Sequence, residues 1–132
     1  MIVGLLDRTD AGHDRCVQAL ELADLIDRPM VTCEAVVSES CFLLRHIHGA
    51  PEEVLKNLEQ GVFEISFQLT TNVSAVRNLM RKYADTPIDF ADACLIQMAD
   101  ELNTGDILTL DSDFLHYRWR KTRPFNLLIP QA

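Results

Sequence analysis

The chain alternates short apolar segments with longer segments of helical periodicity along most of its length. Runs rich in β-branched and aromatic residues predict buried strands at Met30–Thr32, Val62–Phe67, Ile107–Leu110 and Phe125–Ile129. Apolar residues spaced three and four apart predict helices at Ala11–Ile26, Glu34–His48, Asn72–Tyr83 and Asp89–Leu102, with a further helix that opens at Pro51 and ends at Gly61. Short strands that are apolar on both faces and alternate with helices predict an α/β fold, with a parallel sheet covered by helices.

The length and the cysteine usage indicate one ordinary globular domain over residues 1–132, large enough for a core without disulfide staples. No apolar run reaches the length of a membrane span, and the first eight residues lack the pattern of a signal peptide. Cys16, Cys33, Cys41 and Cys94 show no close Cys-x-x-Cys spacing. We therefore expect reduced structural thiols in the cytoplasm, rather than disulfides or a zinc site.

The charge distribution is acidic overall but uneven. Twelve Lys and Arg against twenty Asp and Glu give a net charge of −8, which excludes binding of nucleic acid by bulk electrostatics. Seven of the twelve cations nevertheless fall in two short stretches: Arg77, Arg81 and Lys82, then Arg118, Arg120, Lys121 and Arg123. Taken alone, the second stretch is more typical of a solvated tail, and the alternative is a set of contacts to phosphates.

Paired aspartates mark both ends of the stretch from Pro87 to Phe114. Asp89 and Asp92 lie three apart and share one face of the predicted helix. Asp92 projects from an apolar stripe, where a carboxylate is costly unless a positive group meets it. Asp111 and Asp113 follow the predicted strand Ile107–Leu110 directly.

Ligands in parallel α/β folds bind outside the carboxyl ends of the strands, which is where Asp111 is expected. Glu39 and Asp92 lie near helix starts that approach the same rim, whereas Glu34 is a weaker choice because first-turn glutamates are common. Converging carboxylates raise one another's pKa values, and a divalent cation removes that conflict. Oxygen ligands without a His or Cys cluster favour Mg²⁺ or Mn²⁺, and such a site suits phosphodiester hydrolysis.

Each acid also has a structural interpretation. Asp89 suits a helix cap, and Asp111 and Asp113 suit turn positions, whereas Asp92 fits neither. A receiver domain phosphorylated on aspartate is disfavoured because Lys121 lies too far beyond Asp111. The sequence shows no Ser-His-Asp set, no Cys-His pair and no glycine-rich phosphate loop.

Four segments carry a resemblance to a known family: Pro29–Thr32, Ser38–Leu44, Pro87–Ala93 and Leu108–Phe114. In this order they resemble the PIN domain of VapC-type toxins. The resemblance implies a five-stranded parallel sheet with helices on both faces and a Mg²⁺- or Mn²⁺-dependent ribonuclease site. It also implies an RNA substrate, a cognate antitoxin protein and a homodimer. Its metal ligands would be Glu39, Asp92 and Asp111, with Asp89 and Asp113 as auxiliary acids.

The front of the chain departs from that family pattern, which opens with a hydrophobic strand ending in Asp-Thr or Asp-Ser. Here Met1–Arg8 matches the short helix that follows, so the first, central strand and its aspartate are expected to be missing. Either the true start lies upstream, or the chain rearranges or dimerises to fill the gap. Two functions follow as expectations: an endoribonuclease toxin, in which Arg118, Arg120, Lys121 and Arg123 steady RNA, or a catalytically impaired module that binds RNA or an antitoxin.

Overall fold

Five parallel strands form the main sheet of the chain. The computed structural model describes residues 2–3, 30–86, 88–109 and 112–128. The strands of these segments are β1 (Ile2–Val3), β2 (Met30–Thr32), β3 (Phe63–Ile65), β4 (Asp106–Leu108), β5 (Arg118–Trp119), β6 (Arg123–Pro124) and β7 (Asn126–Leu127). The sheet has the order β3-β2-β1-β4-β7, and each neighbouring pair is parallel. The predicted parallel α/β architecture is therefore confirmed.

The first strand occupies the centre of this sheet. Ile2 pairs with Val31 of β2 on one side and with Ile107 of β4 on the other. The prediction that the central strand is missing is therefore wrong. The prediction failed because two residues are too few to show a periodicity. The similarity of Leu5-Leu6-Asp7-Arg8 to the family's first helix then led to the assignment of Met1–Arg8 as a whole to that helix. Because β2 and β4 have only three residues each, even a two-residue strand supplies backbone partners to both.

Four helices are described: α1 (Glu34–Leu43), α2 (Ala50–Glu59), α3 (Val73–Lys82) and α4 (Phe90–Leu102). Pro51 lies in the first turn of α2, and Gly61 follows that helix with a φ of 79°, both as predicted. The first of these helices ends five residues before the predicted His48, since the chain turns after Leu43. The predicted helix Ala11–Ile26 lies outside the described residues. None of the four described helices is long and apolar enough to cross a membrane.

The buried face of helix α3 is narrower than the periodicity of its apolar residues predicted. Val76 is buried and Leu79 packs against the core, but Val73 and Met80 are 43% and 39% exposed. The prediction that Val73 and Met80 point inward is therefore wrong, because α3 lies on the outside of α4 and presents only one narrow stripe to it.

Helix α4 is the centre of the core. All residues from Ala91 to Ile96 are buried, together with Met98 and Ala99. Edge-to-face aromatic contacts continue this core beyond β4, with ring centroids 5.1 Å apart for Phe114 and Tyr117 and 5.3 Å apart for Phe114 and Phe125. The position of the first turn of α4 is therefore fixed by packing on several sides.

The basic stretch after Tyr117 is a folded hairpin. Strands β5 and β6 pair antiparallel, with Arg118 opposite Pro124 and Trp119 opposite Arg123. Tyr117 and Trp119 are buried, and the Trp119 indole N–H donates to the Pro124 carbonyl at 3.1 Å. The interpretation of this stretch as a solvated tail is therefore wrong, because its aromatic residues anchor it to the core.

Candidate functional site

Polar residues end the strands on both sides of β1. Thr32 closes β2 and Thr109 directly follows β4, and both are buried to within 2% of full burial. Helix α1 begins two residues after Thr32. Polar residues therefore lie at the carboxyl ends of these parallel strands, which is where ligands bind in α/β folds. Both threonines lie in segments that carry the family resemblance, Pro29–Thr32 and Leu108–Phe114, but neither was predicted as a site residue.

The start of α4 orients two of the predicted acids. Asp89 is the N-cap in an extended conformation, and its Oδ1 accepts the backbone N–H of Asp92 at 2.9 Å. The structural interpretation of Asp89 as a helix cap is thus confirmed. The Asp92 side chain lies in the first turn and is only 4% exposed, between the buried residues Ala91 and Ala93. The positive end of the helix dipole stabilises a carboxylate at this position.

Glu39 lies in the second turn of α1, which packs against α4. The residue is half-buried, and its Oε2 atom is enclosed, so the carboxylate turns inward rather than toward solvent. Glu39 and Asp92 are therefore carried by two helices in direct contact, and both have buried carboxylate atoms. Glu34, the weaker choice, is exposed in the first turn of α1.

Only one of the two predicted acids after β4, Asp113, lies in the described part of the chain. Asp111 lies outside the described residues. Asp113 belongs to a short 3-10 helix, Ser112–Leu115, and its carbonyl accepts the N–H groups of His116 and Tyr117 at 2.9 and 3.2 Å. Within the described ranges, no three His, Cys, Asp or Glu side chains form a cluster that holds a metal ion.

The donor set still fits a hard divalent cation in type. Asp92 and Glu39 offer carboxylate oxygens on two helices in contact, and oxygen ligands of this kind suit Mg²⁺ and Mn²⁺. A buried carboxylate on an apolar helix costs free energy that a core residue would not, which is typical of a functional position.

A pair of thiols joins the same two helices. Cys33 immediately precedes α1, Cys94 lies in the second turn of α4, and both are about 1% exposed. A hydrogen bond with the Cys94 thiol lowers the pKa of Cys33, against the opposing effect of burial. The same hydrogen bond and burial raise the pKa of Cys94. The prediction of free rather than disulfide-bonded cysteines holds for Cys33, Cys41 and Cys94, but this pairing was not foreseen.

The predicted substrate-binding cations gather at the other end of α4. The Arg120 N–H donates to Oδ1 of Asp100 at 2.6 Å, and the Lys82 ammonium donates to the Lys121 carbonyl at 3.2 Å. Asp100 is eight residues after Asp92, which on a helix corresponds to about 12 Å. The two basic stretches therefore meet each other, and the structure does not bring Arg120 next to Asp92.

The remaining two cations of the hairpin, Arg118 and Arg123, contact residues of the hairpin or residues just before it. The Arg118 guanidinium donates to the carbonyls of Leu115 and Tyr117, each at 2.9 Å. The Arg123 guanidinium lies 5.3 Å from the centre of the Trp119 ring. Exposed cations at Lys82, Arg120, Lys121 and Arg123 give this end of an acidic protein a local positive surface.

Comparison with known proteins shows the family of this chain. The family model of the PIN domain matches residues 1–120, and so takes in β1 as well as both acidic helices. Ribonuclease VapC26 of Mycobacterium tuberculosis is 30% identical over 109 residues, which cover 81% of this chain and 81% of that protein. The match therefore extends over nearly the whole fold on both sides.

Proposed function

Because this chain belongs to the PIN domain family and is VapC-like within it, we propose that it is a Mg²⁺- or Mn²⁺-dependent endoribonuclease. It hydrolyses RNA phosphodiesters and acts as the toxin of a toxin–antitoxin pair in the cytoplasm. The observation that carries this proposal is the buried carboxylate of Asp92, held at the start of the central helix by its Asp89 cap. A charge among the core residues of α4 is more typical of a functional position than of a core position.

Glu39, Asp92 and Asp111 are the proposed ligands of the cation, and Asp89 and Asp113 support them. A bound divalent cation polarises a phosphoryl oxygen and lowers the pKa of the attacking water. Asp89 fixes the first turn of α4, since its cap bond ends on the amide of Asp92 itself. The packed core around α4 keeps the Asp92 carboxylate in one orientation, so little reorganisation is needed when substrate binds.

The positive surface at the far end of α4 is proposed to steady the RNA backbone. Of Arg118, Arg120, Lys121 and Arg123, Arg120 contacts Asp100, about 12 Å along that helix from Asp92, so an RNA that contacts both Arg120 and the proposed metal site must extend over several nucleotides. We propose an antitoxin protein and a second copy of the chain as the other partners.

The test replaces Asp92 by Asn, which keeps the size of the side chain and removes its charge. Asp92→Asn should abolish Mg²⁺-dependent cleavage of a single-stranded RNA. The matched control is Asp100→Asn on the same helix, because Asn retains the oxygen that accepts the Arg120 amide. Cleavage by Asp92→Asn at the rate of the unmodified protein rejects the proposed role of this carboxylate.

A second candidate function is a catalytically impaired module that binds RNA or an antitoxin. One observation favours it: the residue after β1 is Gly4, where the family pattern places an aspartate at the end of the first strand. If the chain lacks a ligand there, Gly4→Asp should raise metal-dependent cleavage while RNA affinity changes little. Cleavage by the unmodified protein that disappears in Asp92→Asn rejects the impaired module.

A further inference from the structure

Cys33 and Cys94 meet where two helices begin. Cys33 lies between the end of β2 and the start of α1, whereas Cys94 comes from α4, sixty-one positions later in the sequence (94 − 33). The two helices are in contact, and both cysteine side chains line the same cavity. The proposed cleavage of RNA assigns no role to either residue.

The pair is buried but not sealed. A cavity of about 170 Å³ is lined by both cysteines together with Glu34, Ala35, Phe67, Leu69 and Phe90. Glu34, Leu69 and Phe90 are exposed residues, so the cavity reaches the surface. Its volume exceeds the roughly 30 Å³ that one water occupies in the liquid, and a peroxide is only slightly larger than water.

The two thiols differ in reactivity. Cys33 is the N-cap of α1, and its carbonyl accepts the N–H groups of Val36 and Val37 at 3.1 and 3.2 Å. A sulfur at the positive end of a helix is favoured as thiolate, and the thiolate is the nucleophile. Cys33 is therefore the attacking group and Cys94 the resolving group.

We propose that Cys33 and Cys94 form a reversible oxidation site for hydrogen peroxide or small organic hydroperoxides. The Cys33 thiolate attacks the peroxide, so an S–O bond forms, the O–O bond breaks, and water or an alcohol leaves with a proton. The Cys94 sulfur then attacks this sulfenic acid, an S–S bond forms, and the hydroxyl leaves as water with the Cys94 proton. Two thiols and one hydrogen peroxide thus give one disulfide and two waters, and a dithiol reductant restores both thiols.

The disulfide joins the start of α1 to the second turn of α4, two residues beyond Asp92. An S–S bond of about 2.0 Å is shorter than any thiol–thiol hydrogen bond, so its formation draws the two helix starts together. If the proposed function holds, this displacement alters the spacing of Glu39 and Asp92 and lowers cleavage. This regulatory consequence rests on the proposed function, whereas the oxidation site itself does not.

The test uses the full chain with Cys16→Ser and Cys41→Ser, which leaves Cys33 and Cys94 as its thiols. After treatment with hydrogen peroxide, we expect the loss of both free thiols, a mass lower by two hydrogen atoms, and a monomer on a non-reducing gel. Dithiothreitol should restore both thiols. Persistence of two free thiols, or oxidation to sulfinic acid without a cross-link, overturns the proposal.

Single replacements separate the two roles. With Cys94→Ser added, Cys33 should stop at the sulfenic acid and react with dimedone, whereas with Cys33→Ser added no dimedone adduct should form. Because a serine in the core can impair folding, the same linkage is also sought in the unmodified protein by peptide mapping after alkylation of free thiols. Absence of a peptide pair joining Cys33 and Cys94 there overturns the proposal by itself.

The regulatory consequence is read separately, from RNA cleavage before oxidation, after it and after reduction. We expect cleavage to fall at least severalfold on oxidation and to return with dithiothreitol. A disulfide that forms while cleavage stays constant refutes the regulation and leaves the site. A disulfide that forms in a protein without cleavage in either state refutes the proposed function instead.

Discussion

Replacement of Asp89 separates its two roles, that of helix cap and that of auxiliary acid. Asp89→Ala removes the bond from Oδ1 to the Asp92 amide, which is 2.9 Å long in the structure. Loss of an N-cap of this kind costs about 1 kcal/mol, within a range of about 0.5–2 kcal/mol. For a domain of 132 residues this corresponds to a Tm lower by roughly 3–5 °C.

Asp89→Ser is the matched control, because a serine hydroxyl also accepts the N–H of the first turn and is an equally favoured cap. Thermal unfolding followed by circular dichroism should place Asp89→Ser within about 1–2 °C of the unmodified protein. An Asp89→Ala protein with an unchanged Tm would refute the assignment of the cap.

Cleavage assays on the same two proteins address the metal. If Asp89 acts only through the cap, Asp89→Ser should cleave RNA at the rate of the unmodified protein. Its half-maximal activity should also need the same Mg²⁺ concentration. If the carboxylate also supports the cation, Asp89→Ser is as stable as the unmodified protein yet needs more Mg²⁺. If Asp89→Ser and Asp89→Ala lose the same amount of cleavage activity and have the same Tm, the cap has no role of its own in activity.

Three further changes test the hairpin. Gly105→Ala should destabilise the protein by about 1–3 kcal/mol in urea unfolding, because the added Cβ overlaps the indole nitrogen of Trp119 and lies 2.8 Å from its Cε2. Tyr83→Phe should cost about 1–2 kcal/mol by the same assay, since the Tyr83 hydroxyl accepts the Arg118 amide at 3.0 Å. Lys121→Ala should lower the slope of log affinity for single-stranded RNA against log salt by about 0.7.

Each of these has a contradicting result. Unfolding of Gly105→Ala or Tyr83→Phe at the urea concentration of the unmodified protein would show that the contact in question is dispensable. Trp119 is the single tryptophan of the chain, so its fluorescence reports the hairpin directly. A Lys121→Ala protein with an unchanged salt slope would place the RNA elsewhere, and Glu59→Gln, an exposed change on α2, serves as the control.

The sequence predicted α4 well because its signals are local. The cap at Asp89, the stripe around Asp92 and the glycine near its end all act within a few residues, and the structure confirms the helix from Phe90 to Leu102. The family resemblance then assigns these acids to a metal site that periodicity alone leaves ambiguous, and that assignment stays a prediction. Asp111, outside the described residues, stays a prediction.

The features that sequence reasoning missed depend on distant partners. The β1 strand has two residues, and only pairing with β2 and β4 makes it a strand. In the sequence, the segment after Tyr117 resembles a charged tail. In the structure it is a hairpin, because Trp119 packs against Gly105. The pairing of Cys33 with Cys94 depends on the contact of α1 with α4, which no spacing in the sequence encodes.

The position of β1 also affects how the protein is made. Ile2 is synthesised before one of its partners, Ile107, which follows 105 positions later (107 − 2). At a synthesis rate of about 5–20 residues per second, the middle of the sheet stays open for roughly 5–20 s. During that time the acids on α1 and α4 have no shared framework. The two acidic helices therefore gain their common sheet only after synthesis has passed Ile107.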